Sequence, residues 1–109
     1  MGVDVALLRV EQRGSSPRRR RASQVDVVLD LHDKFARLCE SSALPMLSRV
    51  DSYGTLILSS SEMDQFIAEI EIEFLQMEDP AVKEFLKSVL RLARECQEEE
   101  EMQLRLDGD

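Results

Sequence analysis

The sequence predicts an α+β fold in which about three helices pack on one face of a small three-stranded sheet. Its 109 residues fit one domain, residues 1–109. Apolar side chains alternate near both ends, as in strands, while three segments between them have helical spacing. Three short strands need cover on a face, which the helices supply. The predicted order is β-α-β-α-α-β.

The first strand is predicted over residues 3–10, where apolar side chains recur at Val3, Val5, Leu7 or Leu8, and Val10. Residues 11–22 then contain Gly14, Pro17 and four consecutive arginines, which favour turns and repel one another. We expect a mobile Arg-rich loop over residues 11–22.

A first helix is predicted from Ser23 to about Glu40. Its apolar residues follow helical spacing: Val28, Leu31, Phe35, Leu38 and Cys39. The β-branched residues Val25, Val27 and Val28 also allow a strand at its start. His32, the one histidine of the chain, is expected at the surface or boundary of this helix.

The middle of the chain contains turn and cap signals. Asp51 and Gly54 favour a turn, and residues 55–58 a brief strand. Ser59 with Glu62 matches a capping box, so a helix is expected from there to about Glu78. The alternation over residues 69–74 favours a strand instead, but the cap and the preceding spacing favour the helix.

The last helix begins with a cap residue, Asp79, followed by Pro80 at the first helical position. One face carries apolar residues until roughly Glu98: Val82, Phe85, Leu86, Val89, Ala93 and Cys96. Met102, Leu104 and Leu106 then alternate with polar residues and predict a closing strand.

Charge is unevenly distributed in a chain of formal net charge -8. Residues 1–21 hold six arginines against two acids, and the remainder has a net charge of -12. The basic run Arg18, Arg19, Arg20 and Arg21 is a possible anion-binding site for nucleic acid. It lacks interleaved aromatic residues and is attached to an acidic body. Nucleic acid is therefore an unlikely partner, and a solvated loop is favoured.

Composition argues against most catalytic and cofactor chemistry. One histidine, two distant cysteines and four scattered glycines assemble no triad, zinc motif or phosphate loop. We therefore expect a non-enzymatic protein with no catalytic residues, cofactor or metal.

Cys39 and Cys96 are expected as buried free thiols in a reducing cytoplasm. No apolar run is long enough for a membrane span.

The predicted central helix has two apolar sides. Its inner side consists of Met63, Phe66, Ile67, Ile70, Phe74 and Met77, and its opposite side of Ala68, Ile72 and Leu75. No basic residue lies between Arg49 and Lys83, a stretch with eight acids. Such a helix usually needs two neighbours.

Two explanations fit the second apolar side. The next helix carries a basic stripe of Lys83, Lys87, Arg91 and Arg94, which could pair with the acids and cover Ala68, Ile72 and Leu75 inside the chain. The same side could instead be an exposed patch ringed by carboxylates. A basic protein partner or a second copy would then cover it.

Residues 47–66, L-S-R-V-D-S-Y-G-T-L-I-L-S-S-S-E-M-D-Q-F, resemble a pattern in small bacterial proteins of unassigned function. That pattern is a D-P-Y-G-D-type turn, a short apolar strand and an acidic helix. Here Ser52 replaces the proline and Thr55 the second acid. In size and charge the chain is similar to immunity proteins, and the resemblance implies a protein that occludes a toxin.

The leading hypothesis is an acidic protein-binding module that occludes a basic partner surface, as an immunity protein or inhibitor does. Ile72 and Leu75 would anchor the partner. Carboxylates would steer it: Glu69, Glu71, Glu73, Glu98, Glu99, Glu100 and Glu101. The alternatives are a self-associating homodimer through the same face, and a nucleic-acid-associated accessory protein that uses Arg18 to Arg21.

Overall fold

The computed structural model describes residues 2–12 and 20–108. Four strands are present there: β1 (Val3–Gln12), β2 (Arg20–Val28), β3 (Thr55–Ser59) and β4 (Met102–Gly108). Three α-helices accompany them: α1 (Lys34–Ser41), α2 (Met63–Gln76) and α3 (Pro80–Glu98). Short 3-10 turns cover Leu47–Arg49 and Ser60–Glu62. The predicted α+β class with three helices is confirmed.

The sheet is antiparallel, with the strand order β2-β1-β4-β3. In its central pair, Val5 of β1 lies opposite Leu106 of β4. The first and last strands of the chain therefore form the middle of the sheet. The prediction of three strands was wrong, because β2 adds a fourth strand at one edge.

The strand β2 covers residues that were predicted as the start of the first helix, from Ser23, and as the end of the Arg-rich loop. Residues 11–12 and 20–22 of that loop lie in β1 and β2, whereas residues 13–19 lie outside the described residues. Val28 pairs with Val5, and Val27 with Ala6. Residues 25–28 form a strand because they pair with β1 and include β-branched side chains. The helical spacing of apolar residues begins only at Val28 and is therefore too weak to make this segment helical.

Helix α1 begins at Lys34 because a buried carboxylate caps it. Asp30, 7% exposed, accepts the backbone N–H groups of Phe35 at 3.2 Å and Ala36 at 3.0 Å. The same carboxylate also accepts the N–H of Val3 at 3.0 Å. One carboxylate thus satisfies donors at the starts of α1 and β1, and it fixes the first helix against the sheet.

The cap at the start of α3 confirms the prediction for that helix. Asp79 Oδ1 accepts the N–H of Ala81 at 2.9 Å, and Pro80 is the first helical residue. Lys34 Nζ donates to Asp79 Oδ2 at 2.8 Å. The hydrogen bond from Lys34, and then that from Ala81, hold the pKa of Asp79 below its usual value.

The turn and capping box before α2 are also present. Asp51 Oδ1 accepts the N–H of Tyr53 at 2.9 Å, and β3 follows this turn. Ser59 and Glu62 form the capping box, in which the N–H of Ser59 donates to Glu62 at 3.0 Å. The chain then makes one 3-10 turn before α2 begins at Met63.

The hydrophobic core lies between one face of the sheet and the helices. Its strand residues include Val3, Val5, Leu7, Leu58, Leu104 and Leu106, and its helix residues include Phe35, Phe66, Ile70, Leu86, Val89 and Leu92. The other face of β1 carries Ala6 and Leu8, which are buried outside this core cluster. Because the core lies between the helices and one face of the sheet, the helical layer has an inner side against the sheet and an outer side that faces away from it.

Candidate functional site

The outer side of α2 is exposed. On its inner side, Met63, Phe66 and Ile70 are fully buried, and Ile67, Phe74 and Met77 are partly buried against the core. On the outer side, Ala68 is exposed, Ile72 is 42% exposed and Leu75 is 81% exposed. We call these three residues the α2 patch. The explanation that another helix of the same chain covers this patch is wrong.

The basic stripe of α3 makes scattered contacts rather than a continuous pairing with α2. Arg94 lies 3.9 Å from Glu71 of α2, but Arg91 donates to Asp26 of β2 at 3.0 Å. Lys87 pairs with Glu84, and Lys83 lies over the ring of Phe74, 5.2 Å from its centroid. Helix α3 thus lies beside α2 and leaves the α2 patch open.

Glu69 is not available to a partner. This residue is 4% exposed, and its Oε1 accepts the N–H groups of Met46 and Leu47, each at 2.9 Å. Oε2 accepts from the side chain of Gln65 at 2.9 Å. The prediction that Glu69 steers a partner is therefore wrong, because its carboxylate holds the connection between α1 and β3 against α2.

Glu71 and Glu73 differ in their surroundings. Glu71 is exposed beside the α2 patch, and its long, exposed contact with Arg94 is of a kind that contributes at most about 1 kcal/mol. Glu73 is half-buried and accepts from the hydroxyl of Ser42 at 3.0 Å. Glu71 is thus placed to act at the edge of the patch, whereas Glu73 supports the chain after α1.

The acidic run at the end of α3 is exposed and partly neutralised. Glu98, Glu99, Glu100 and Glu101 are all exposed. Arg9 Nη1 lies 2.5 Å from Glu99 and 3.3 Å from Glu101. The hydrogen bond with Glu99 is the main cause of the raised pKa of Arg9. Glu98 and Glu100 extend the acidic surface beyond this cluster.

This run lies at the same end of the helical layer as the start of α2. The side chain of Gln97, near the end of α3, donates to Asp64 in the first turn of α2. Asp64 is itself exposed. The two ends therefore form one acidic region, although the four glutamates are not part of the α2 patch.

The four predicted anion-binding arginines divide between two parts of the chain. Arg18 and Arg19 lie outside the described residues. Arg20 and Arg21 lie in β2, opposite Gln12 and Glu11 of β1. The strand assignment corrects the expected loop at these two positions.

Sequence reasoning missed a small apolar pocket beside α1. Its volume is about 140 Å³, and its lining includes Leu29, Leu31, Phe35, Val82 and Phe85. His32 also lines it and is exposed in the turn before α1, rather than in a helix as predicted. The strand β2 ends at Val28, and α1, which Asp30 caps, begins only at Lys34.

Both cysteines are free and buried, as predicted. Burial raises the pKa of the Cys39 thiol to about 12, with smaller contributions from Asp30 and neighbouring glutamates. Burial likewise raises the pKa of Cys96 to about 11. Both groups therefore remain neutral thiols at physiological pH, in contrast to reactive thiolates. Among residues 2–12 and 20–108, no three His, Cys, Asp or Glu residues form a group suited to a metal ion.

The native thiols should be unreactive. We expect neither Cys39 nor Cys96 to react within minutes with a thiol-specific disulfide reagent at mildly alkaline pH, because both are buried and protonated. Both should react at once in denaturant. Absorbance of the released chromophore measures this, and rapid native reaction of one thiol would contradict the burial of that residue.

Comparisons of the chain with protein-family models, curated proteins and solved structures found no match. Within the described part of the chain, no helix has the length and apolar character needed to cross a membrane. The candidate functional site is therefore defined by geometry: the α2 patch with Glu71 at its edge, next to an acidic end of the helical layer.

Proposed function

We propose that this protein is a non-enzymatic binding module that occludes a basic surface of a protein partner, as an immunity protein or inhibitor does. The observation that carries the proposal is the exposure of Leu75, 81%, and Ile72, 42%, on one side of α2. Burying a leucine or isoleucine fully contributes about 1.5–3 kcal/mol. These two side chains are therefore the anchors.

Charge supports a basic partner. The chain has a net charge of -8, and exposed carboxylates lie at the edge of the patch and at the end of α3. Glu71, Glu98 and Glu100 are the steering groups in this proposal. Such a field accelerates association with an oppositely charged surface and is weakened by salt. Glu69 has no part in steering, since its carboxylate is committed to the fold.

The two free cysteines make the reducing cytoplasm the proposed compartment. Cys39 and Cys96 are both free thiols. A reducing environment keeps such thiols unpaired, which is consistent with an interaction inside the cell.

The double variant Ile72→Gln/Leu75→Gln should lose partner capture. The tagged wild type should retain one basic protein from its native lysate at low salt and release it progressively as salt increases. The variant keeps the charge of the chain but loses both apolar anchors, so we expect retention to fall at least about tenfold. Quantitative mass spectrometry of the bound fraction measures the change.

Ile57→Gln is the matched control, because Ile57 is 51% exposed but lies in β3, away from α2. It should capture as wild type does. Equal capture by the double variant would contradict the proposal. Recovery of the protein's own untagged copies alone would favour the homodimer, and recovery of salt-sensitive nucleic acid would favour the accessory protein.

A further inference from the structure

The α2 patch has the spacing of a coiled-coil seam. Ala68, Ile72 and Leu75 are separated by four and then three residues, which corresponds to heptad positions d, a and d. Gln65 occupies the preceding a position and is exposed. The outer side of α2 therefore offers about two heptads to a second helix, while its inner side remains in the core.

The residues that flank this seam are acidic on one side. Within α2 the g positions are Asp64 and Glu71, and both are exposed. The e positions on the other side of the seam present no exposed acid, because Glu69 is buried and Gln76 is an exposed neutral residue. In two-stranded coiled coils, residues at e and g select the partner and its orientation. The seam therefore presents negative charge from its g positions.

A second copy of α2 does not complement these charges. In an antiparallel pair the g residues face each other, which would place carboxylates opposite carboxylates. In a parallel pair Glu71 would face the neutral Gln76 of the other copy, and no cation would lie opposite either acid. Like charges across such a seam oppose association. Self-association is thus the less favourable occupancy of the α2 patch.

We propose that the α2 patch binds one amphipathic helix of the partner, with apolar residues at its a and d positions and Lys or Arg at the positions that face Asp64 and Glu71. The inference rests on the proposed function and names the element that the partner presents. The apolar seam supplies the packing and the two exposed acids supply the selectivity, as in other helix-recognition modes.

Two synthetic peptides test this proposal on the full-length protein. Both have three heptads with Ile at a and Leu at d; one carries Lys at e and g, and the other carries Glu there. Fluorescence anisotropy at low salt should show that the basic peptide binds at least about tenfold more tightly than the acidic one. Amide shifts in NMR spectra should centre on Ala68, Ile72 and Leu75.

The variant Asp64→Lys/Glu71→Lys should weaken binding of the basic peptide about tenfold, because both flanking attractions become repulsions. Its matched control is Glu84→Lys/Glu95→Lys, which changes the net charge equally at exposed positions of α3. The control should retain most of the binding. Equal loss in both variants, equal binding of the two peptides, or binding of neither would overturn the proposal.

The peptide result can be separated from the capture experiment. If a basic protein is captured through Ile72 and Leu75 but neither peptide binds, the proposed function stands and the helical mode is wrong. If capture does not depend on Ile72 and Leu75 and neither peptide binds, both proposals are wrong.

Discussion

Glu69→Ala should lower the free energy of unfolding by about 3–5 kcal/mol, which is a large share of the 5–15 kcal/mol typical of small domains. Removal of this 4% exposed carboxylate leaves the N–H groups of Met46 and Leu47 without their acceptor. Each buried unsatisfied donor costs about 1–3 kcal/mol, and the side chain of Gln65 loses its acceptor as well. Urea denaturation followed by circular dichroism measures the loss.

Two further variants locate the cause. Glu69→Gln retains one carbonyl oxygen for Met46 and Leu47, so we expect a loss of only about 1 kcal/mol. Glu73→Ala, one turn away, removes a half-buried contact with Ser42 and should also cost about 1 kcal/mol or less. A similar small loss for Glu69→Ala would show that its carboxylate is not the support of residues 46–47. Glu69 would then return as a candidate for partner contact.

Asp30→Ala should be comparably destabilising, by about 3–5 kcal/mol. Its carboxylate accepts the N–H groups of Val3, Phe35 and Ala36, so its removal leaves donors unsatisfied at the starts of both β1 and α1. We expect α1 to lose its hydrogen-exchange protection before the rest of the chain does. Equilibrium unfolding and amide exchange measure the two effects.

Asp51→Ala is the control for Asp30→Ala. Asp51 also accepts a backbone N–H, that of Tyr53, but the bond is exposed and solvent can replace it. We expect a loss below about 1 kcal/mol. Equal effects of the two substitutions would contradict the cap that Asp30 provides for α1.

The parts of the fold that sequence predicted well depend on local chemistry. The capping box of Ser59 and Glu62, the Asp79 cap with Pro80, and the Asp51 turn are all formed by residues within three positions of one another. Local hydrogen bonds of this kind can be recognised from spacing alone. They fixed the starts of α2 and α3 correctly.

The strand β2 was missed because its formation depends on a distant segment. Residues 25–28 are compatible with helix or strand, and the pairing of Val28 with Val5 decides between them. Asp30 likewise caps α1 while it binds Val3, 27 positions earlier in the chain. No local pattern contains these contacts, so the spacing of Leu31 and Phe35 extended the predicted helix too far.

Only part of the candidate site was predicted, because local patterns do not contain its long-range contacts. Helical periodicity correctly placed Ile72 and Leu75 opposite the core, but it could not decide whether another helix covers them. Periodicity also placed Glu69 beside the core seam as a free acid. The donors that it serves, Met46 and Leu47, belong to an irregular connection that no periodic pattern describes.

The most direct test of the central claim is the dissociation constant of the captured basic protein for wild type and for Ile72→Gln/Leu75→Gln, measured by titration calorimetry at fixed salt. Both residues are exposed, so the variant should keep the fold and the thermal stability of wild type. We predict at least about tenfold weaker binding by the variant. An unchanged dissociation constant for a variant that remains folded would show that the α2 patch is not the binding surface.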